Sequence, residues 1–318
     1  LVEEIGRMVG YGEITPTAPL IPARVPPGNP VREYQHGIRD LIAAQGFTEV
    51  YNYSFLSDEA VKELGWNPDD HVRVLNPIAS DQALMRKSLL PGILSNLREN
   101  RKQFENFRLY EVGYEIHRRE SGLPDEVPHL VAALYAKDDG IAGLSELKRL
   151  AECVIPGATV RPVAARSFEH PARAAEVLAP NGEVFGRLFE LHPDYIEAGR
   201  GAVLDVDLAK TQALSQRTIK YQPLRKFPSS AFDLSVVTET RRLVGEIHTG
   251  LVNFAGKDLL NIEFLRQYSG PPMAEGQKSV SYRLTVGAPD RTLSSDDVTI
   301  IRNRIIEGMR GLGFDLRV

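Results

Sequence analysis

The fold is decided by residues 76–113, which read NPIASDQALMRKSLLPGILSNLRENRKQFENFRLYEVG. Pro91 follows a polar turn and suits the first turn of a helix, because a proline there has no N–H to leave unsatisfied. The apolar side chains at positions 93, 94 and 97 fall on one face of that helix. After a basic loop, apolar and polar residues alternate at period two over residues 110–116, which predicts a strand.

Composition places the chain among ordinary globular proteins. It has 318 residues, 42% of them hydrophobic and 25% charged, which allows two or three domains with ample cores. Cys153 is the single cysteine, so it cannot form an internal disulfide and fits a reducing, cytoplasmic location. No apolar run is long enough to cross a membrane. The sequence begins at Leu1, within a helical pattern, which suggests a part of a longer protein.

Charge is distributed unevenly along the chain. From Arg217 onward there are 15 basic and 11 acidic residues, whereas the preceding part holds 23 of the 38 basic and 31 of the 42 acidic residues. A basic C-terminal part behind an acidic body is typical of nucleic-acid contact. A surplus of this size is also common on an ordinary solvated surface.

The first 55 residues predict a helix, a linker, a second helix and a strand. Residues 1–11 have helical periodicity, with Glu3 and Glu4 on the polar face. Residues 15–30 contain six prolines, which favour an extended linker. Asn29 can cap a second helix that ends at Gly46. The alternation that follows, over residues 47–55, predicts a strand.

The middle of the chain reads as alternating strands and a helix. A strand is predicted over 130–136, an amphipathic helix over 144–154 and strands over 184–191 and 203–208. Asn181-Gly182 is a strong hairpin signal. The seven histidines have no paired ligand spacing, so the sequence gives no indication of a zinc site. His192 is interpreted as a hydrogen-bonded core or loop histidine rather than a catalytic base.

The last hundred residues follow a linker expected over 211–221 and repeat a strand and helix rhythm. Strands are predicted over 232–237, 259–268, 279–286 and 314–318, and helices over 244–254 and 296–309. Ser294 or Ser295 would cap the second of these helices. The order βαββαβ is the ferredoxin-like pattern.

Several residues of the opening stretch form a recognisable family pattern: Asn76-Pro77, Asp81, Arg86, Ser88-Leu89-Leu90-Pro91-Gly92, Asn100 and Glu111-Val112-Gly113. With them the chain resembles the beta subunit of bacterial phenylalanyl-tRNA synthetase. Lys87 departs from that pattern, because the family usually carries a small hydroxyl residue there. Further on, Gly186, Glu190, His192 and Pro193 stand where the family has its Gly-x-x-x-Glu-x-His-Pro motif.

The resemblance implies an α+β fold: a class II synthetase-like antiparallel sheet with helices that has lost its catalytic residues, followed by a ferredoxin-fold anticodon-binding domain. It also implies three segments, namely the tail of a B5-like domain over 1–18, the synthetase-like domain over 19–210 and the anticodon-binding domain over 222–318. Because the domain that this chain resembles has lost its catalytic residues, we expect no catalytic residue in this chain. In class II synthetases a helix feeding a strand, as over 30–55, builds the subunit interface.

Two arginines of this region could be mistaken for ATP contacts. Catalytic class II domains place an arginine on their second motif, near Arg86 and Arg108, but they also need a later Gly-x-Gly motif with a second arginine. That third motif is absent before Arg217. Arg86 and Arg108 are therefore expected to form structural ion pairs or interface contacts.

The resemblance also implies ligands and partners. Glu3 and Glu4 correspond to adjacent glutamates that help to hold Mg²⁺ in the family, although the acidic partners upstream of them are not in this sequence. The C-terminal resemblance rests on Phe227-Pro228, Asp233, Lys278-Ser279, Tyr282-Arg283-Leu284, Asp290-Arg291-Thr292-Leu293 and Leu316-Arg317. Phe232 stands where the family usually has arginine. Candidate tRNA contacts are Lys226, Arg241, Arg242, Lys278, Arg283 and Arg291.

The function that this resemblance implies is that of a non-catalytic beta subunit of phenylalanine-tRNA ligase. It would dock on a catalytic alpha subunit, in an α2β2 assembly, and position tRNA(Phe) for ATP-dependent aminoacylation. Two alternatives remain: an autonomous ATP-using ligase on the same fold, which the missing third motif disfavours, and a stand-alone RNA-binding or scaffold protein.

Overall fold

The computed structural model describes residues 1–138, 141–214, 221 and 224–317. The chain divides into two compact units, with the division between Thr218 and Ile219. Residues 215–220 of the linker expected over 211–221 lie outside the described residues, as does Val318 at the end of the last predicted strand. Residues 211–213 are not linker, because they belong to a helix over Leu208–Ala213. In the part of the chain that is described, no helix is both long and apolar enough to span a membrane.

The helices and strands of the first unit are α1 (Val2–Val9), α2 (Pro30–Ala44), β1 (Thr48–Glu49), β2 (Phe55–Leu56), α3 (Asp58–Glu63), β3 (Leu84–Met85), α4 (Leu90–Asn100), β4 (Asn106–His117), β5 (Asp125–Ala136), α5 (Ile141–Val154), β6 (Thr159–Pro162), β7 (Glu169–Leu178), β8 (Val184–Leu191), α6 (Pro193–Ile196), β9 (Arg200–Asp207) and α7 (Leu208–Ala213). Those of the second unit are β10 (Ser230–Glu239), α8 (Val244–Ala255), β11 (Leu259–Tyr268), β12 (Gln277–Val286), α9 (Ser295–Gly311) and β13 (Asp315–Arg317).

The first unit is built on a sheet whose described strands lie in the order β1-β4-β5-β9-β8-β7-β6. All neighbouring pairs are antiparallel except β1 with β4. Helices α2 and α5 pack on one face of it, whereas α4 packs on the other. The apolar stripe predicted at positions 93, 94 and 97 is confirmed, since all three side chains are at most 2% exposed.

The strand predicted over 47–55 is wrong as a single element. Thr48–Glu49 pairs with β4, and Phe55–Leu56 pairs with β3 in a separate two-stranded sheet. Between the two, Tyr51 and Tyr53 are 89% and 83% exposed. Asn52 anchors the transition, because its Nδ2 donates to Glu111 at 2.8 Å and to Asn96 at 2.9 Å. The alternation in this segment therefore does not mark one buried strand face.

The remaining elements lie close to their predicted positions. Residues 14–29, which contain five of the six prolines of the expected linker, have no regular secondary structure and are exposed. The strand predicted over 203–208 ends at Asp207, and the short helix α7 follows it at once, capped by the Asp207 carboxylate. Of the two serines expected as the cap of α9, Ser294 is the one that caps it, in a reciprocal arrangement with Asp297.

The second unit has the ferredoxin-like order β11-β12-β10-β13, and all its paired strands are antiparallel. Helices α8 and α9 cover one face of this sheet, where the core includes Leu234, Val236 and Tyr282. Alternate positions on the central strands, including Ser235, Ser281 and Arg283, belong to the opposite face, which we call the open face.

Candidate functional site

Arg86 lies at the centre of a buried polar network on the α4 side of the first sheet. It is 6% exposed, and its Nη1 donates to the Glu111 carboxylate at 2.6 Å. The same guanidinium donates to the main-chain oxygens of Asn52, at 3.3 Å, and Tyr114, at 3.0 Å. Gly113 is needed here because a Cβ at that position would collide with the guanidinium. The expected structural ion pair is therefore confirmed for Arg86.

Arg108 is engaged in a different way. Its Nε and Nη2 donate to one oxygen of Glu146 at 3.0 and 2.8 Å, and both side chains are partly exposed. This also confirms an ion pair, although the pair lies at the surface and contributes little to stability. The two arginines do not form a common phosphate clamp, because each is paired with its own carboxylate.

His192, part of the family motif, also has a structural contact. Its Nδ1 accepts a hydrogen bond from the main-chain N–H of Asp194 at 3.3 Å, and it caps α6. The interpretation as a hydrogen-bonded loop histidine is confirmed. Gly186 of the same motif lies where a Cβ would meet the main-chain oxygen of Asp205 at 2.6 Å, so close pairing of β8 with β9 requires glycine.

A cavity of about 650 Å³ opens on the α4 side of the same sheet. It contains Glu115 of β4, His129 of β5 and Asp205 of β9, whose ligand atoms all lie within 4.8 Å of one another. His129 Nδ1 lies 2.9 Å from the Asp205 carboxylate, and its Nε2 lies 3.4 Å from Glu115. Sequence spacing missed this cluster because the three residues come from separate strands that only the sheet brings side by side.

Burial and charge shift the acid–base behaviour of this cluster. Burial raises the pKa of Glu115, although a hydrogen bond with His117 opposes the shift. Burial lowers the pKa of His129, but its hydrogen bond to Asp205 and the nearby carboxylates outweigh burial and raise the pKa on balance. His71 lines the same cavity, and burial lowers its pKa. Its Nε2 is buried and has no hydrogen-bond partner among the described residues.

The two glutamates expected to hold Mg²⁺ lie on α1, and both are exposed. Glu4 accepts hydrogen bonds from Arg7 at 2.8 and 3.1 Å, which occupies one of its carboxylate oxygens. The structure does not bring another acidic residue of the described segments into a ligand cluster with Glu3 and Glu4.

The six expected tRNA contacts do not share one surface. Arg283 lies on the open face, where it pairs with Asp233 at 2.9 Å, and Arg291 pairs with Asp297 beside the start of α9. Arg242 pairs with Glu246 and stacks over the ring of Phe314 at 4.2 Å. Lys226 and Arg241 are exposed.

Lys278 differs from the other five because it is only 5% exposed. Burial lowers the pKa of its amine. It alternates with Val280 and Tyr282 on the face that the helices cover, so little of its side chain is available to a phosphate.

Two residues that the sequence did not single out lie on the same face of the second sheet as Arg283. Arg266 and Tyr268 of β11 pair with Ser281 and Ser279 and line a cleft of about 360 Å³ with Ser235. A β-bulge between Phe264 and Arg266 turns them onto the open face, which simple alternation would have assigned to the covered one. Together they offer a cation and an aromatic ring, the two features that single-stranded nucleic acid uses.

Comparison with known proteins gives two family matches. The family described as "Phenylalanyl tRNA synthetase beta chain CLM domain" matches residues 14–200, and the family described as "Ferredoxin-fold anticodon binding domain" matches residues 225–317. The first therefore covers more than half of the chain.

Two similar curated proteins carry the same name. The phenylalanine–tRNA ligase beta subunit of Solibacter usitatus is 57% identical over 319 residues, covering 100% of this chain and 41% of that protein. The protein of the same name from Moorella thermoacetica is 32% identical, covering 100% of this chain and 42% of its own length. The chain thus spans about two fifths of the curated relatives that it matches. Among solved structures, pyrrolysyl-tRNA synthetase from Desulfitobacterium hafniense is similar with a TM-score of 0.47 at 14% identity, covering 57% of this chain and 67% of that one.

Proposed function

The chain belongs to the family of the phenylalanyl-tRNA synthetase beta chain, and on that premise we propose that it is the scaffold and tRNA-positioning part of a phenylalanine-tRNA ligase. It docks on a catalytic alpha subunit, in an α2β2 assembly in the cytoplasm. It positions tRNA(Phe) for ATP-dependent attachment of phenylalanine, and this part of the beta chain makes no bond itself. Its contribution to rate is proximity and orientation.

One observation carries the proposal: both structural units match domains of a single synthetase chain. We assign residues 1–18 to the tail of a B5-like domain, 19–210 to a synthetase-like domain of class II type and 222–318 to the anticodon-binding domain. In this assignment ATP and phenylalanine bind to the alpha subunit. Mg²⁺ bound through Glu3 and Glu4 would need further ligands, because the Glu4 carboxylate already pairs with Arg7.

The contacts of the Arg86 guanidinium support the proposal that this chain has no catalytic role. Its guanidinium is neutralised by Glu111 at 2.6 Å, and Glu111 is 0% exposed. An arginine that binds the phosphates of ATP has to present its charge and its donors to the ligand. Arg86 instead directs Nε and Nη1 at protein oxygens, which supports a role in holding the scaffold together.

Docking on a partner is supported by exposed apolar side chains around β2 and β3. Tyr51 and Tyr53 are 89% and 83% exposed, and Leu75 and Ile78 are fully exposed. Exposed tyrosines and large aliphatic residues are typical of protein interfaces. The two tyrosines fall in the helix-and-strand segment over 30–55, which by its resemblance to class II synthetases would build the subunit interface.

We expect this chain to form a stable complex with a phenylalanyl-tRNA synthetase alpha subunit from the same source, measured by size-exclusion chromatography with light scattering. Tyr51→Asp and Ile78→Asp should each weaken the complex by about 30-fold, as expected for the loss of an interface hot spot of about 2 kcal/mol.

Leu20→Asp is the matched control, because Leu20 is equally exposed but lies in the proline-rich segment. Failure of the unaltered, folded chain to bind the alpha subunit would refute the docking role and favour a stand-alone RNA-binding protein. An equal effect of Leu20→Asp would show that the interface is elsewhere.

Positioning of tRNA is supported by the open face of the second unit. Arg266, Tyr268 and Arg283 are exposed there, and phosphate contacts through such cations make binding dependent on salt. Arg266→Ala and Arg283→Ala should each weaken tRNA(Phe) binding and lower the slope of log affinity against log salt concentration by about 1. Arg161→Ala is the control, since Arg161 is an exposed, paired arginine of the first unit. Unchanged slopes in both open-face variants would place the RNA elsewhere.

Asp233 should limit this interaction. Its carboxylate accepts from Arg283 at 2.9 and 3.0 Å, and the same hydrogen bonds lower the pKa of Asp233, so it stays ionised beside the proposed path of the RNA. Asp233→Asn should therefore strengthen tRNA binding, by at most about five-fold, because an exposed ion pair is weak. Filter-binding or fluorescence titration with tRNA(Phe) measures this, and weaker binding by the variant would contradict it.

A further inference from the structure

Three adjacent strands bring two carboxylates and an imidazole to one point of the first sheet. Glu115 lies on β4, His129 on β5 and Asp205 on β9, and these strands are consecutive neighbours. Their side chains are largely withdrawn from water, with exposed fractions of 7%, 15% and 25%. Nothing in the proposed docking or tRNA role uses this cluster.

The distances around His129 are those of a metal-binding histidine. Its Nδ1 lies 2.9 Å from Asp205 Oδ1, within hydrogen-bond distance. In the neutral tautomer that donates this bond from Nδ1, Nε2 carries a lone pair. Metal-bound histidines are commonly oriented by a carboxylate in this way.

The opposite side of the ring faces Glu115. His129 Nε2 lies 3.4 Å from Glu115 Oε2, which is longer than the usual charge-assisted hydrogen bond of about 2.7–2.9 Å. It matches the separation of two ligands that each lie about 2.0–2.1 Å from a tetrahedral Zn²⁺.

A third donor lies beside Glu115, outside the three residues whose ligand atoms are within 4.8 Å of one another. His117 Nε2 lies 3.0 Å from the same Glu115 oxygen. His117 is the last residue of β4, and its side chain is 37% exposed, so its ring has room to reorient. Two imidazoles and one carboxylate are a common ligand set for zinc in sites that keep an open position.

Charge and solvent access agree with a bound cation. Two acidic side chains face one imidazole, and a divalent ion that displaces their protons on binding would be held by opposite charge. The adjoining cavity of about 650 Å³ gives access and room for metal-bound water. His71 Nε2 is buried in the wall of that cavity, where no described residue hydrogen-bonds to it, and it supplies an acceptor for such a water.

We propose that this cluster binds a divalent transition metal, with Zn²⁺ as the first candidate. The ligands are Glu115, His129 and His117, and Asp205 is the orienting carboxylate. The ion ties together β4 and β5 at the cavity. Lys87 and Arg166 also line the cavity. If these two cations neutralised the carboxylates in place of a metal ion, the site would bind no metal.

The test uses the whole chain, free of any affinity tag and stripped of metal with a chelator. Calorimetric titration with ZnCl₂ should give one ion per chain, and Co²⁺ should give the visible absorption of a four-coordinate site. Glu115→Gln and His129→Ala should abolish this binding, and Asp205→Asn should weaken it by about 10- to 100-fold, the usual effect of removing an orienting carboxylate.

His36→Ala is the matched control, because His36 is exposed on α2, in the same unit but away from the cavity. Circular dichroism checks that each variant is folded. If His129→Ala does not fold, the near-isosteric Glu115→Gln and Asp205→Asn variants carry the test. Zinc binding by Glu115→Gln equal to that of the unaltered chain, an equal loss in His36→Ala, or no stoichiometric binding at all would each overturn the proposal.

Discussion

Replacing Arg86 with alanine should lower the free energy of unfolding of the first unit by about 3–5 kcal/mol, the usual cost of leaving one partner of a buried ion pair uncompensated. The variant would leave the Glu111 carboxylate, which is 0% exposed, without its charged partner. It would also remove the donors that tie Asn52 and Tyr114 together through their main-chain oxygens.

Urea unfolding followed by tryptophan fluorescence measures this change in the first unit alone. The chain has one tryptophan, Trp66, which lies in that unit and packs edge-on against Phe168 at 5.8 Å between ring centroids. The signal therefore reports the unit that contains Arg86.

Two further variants separate the buried charge from other causes. Arg108→Ala, which breaks the partly exposed pair with Glu146, should cost at most about 1 kcal/mol. The double variant Arg86→Met/Glu111→Leu should recover much of the loss, because an apolar pair of similar volume removes the unpaired buried charge. A cost below 1 kcal/mol for Arg86→Ala would contradict the structural role assigned to this residue.

Replacing Glu190 with alanine should have a comparable effect, about 3–5 kcal/mol, for the opposite charge. Glu190 is 3% exposed, and its two oxygens accept from Arg173 at 3.0 Å and from Arg200 at 2.7 Å. Its loss would leave the two guanidinium groups close together without the carboxylate that separates their charges. The three residues belong to neighbouring strands, so the sheet itself would be strained.

The same fluorescence-detected unfolding measures this second prediction. Glu176→Ala is its control, because Glu176 pairs with Arg161 on the neighbouring strands at a more exposed position. Glu190→Asp, which keeps the charge on a shorter side chain, should lie between the two. Equal stability of Glu190→Ala and Glu176→Ala would show that the two arginines do not depend on Glu190. A larger loss of stability for Glu190→Ala than for Glu176→Ala would show that the glutamate of the Gly-x-x-x-Glu-x-His-Pro motif has a structural role.

Local sequence patterns were sufficient to predict much of the fold. Strong periodicity placed α2, α4 and the elements of the second unit, and the βαββαβ order predicted the ferredoxin-like sheet that the structure contains. The third motif required for an ATP site is a linear signal, so its absence could also be read directly. These features depend on neighbours in sequence, since helix and strand periods are properties of short segments.

Residues that meet only in the folded sheet could not be found in this way. The Glu115, His129 and Asp205 cluster joins three strands, and no spacing within one of them indicates it. Lys278 looked like an exposed cation, but its register places it on the face covered by helices.

The sequence by itself therefore determined the family, the order of elements and the caps and prolines that begin the helices. The tertiary structure decided which charges are buried, which cations reach the open face and which side chains surround the cavity. The physical reason is register: a shift of one residue reverses the face of every side chain that follows. The bulge before Arg266 makes such a shift and turns Arg266 and Tyr268 to the open face.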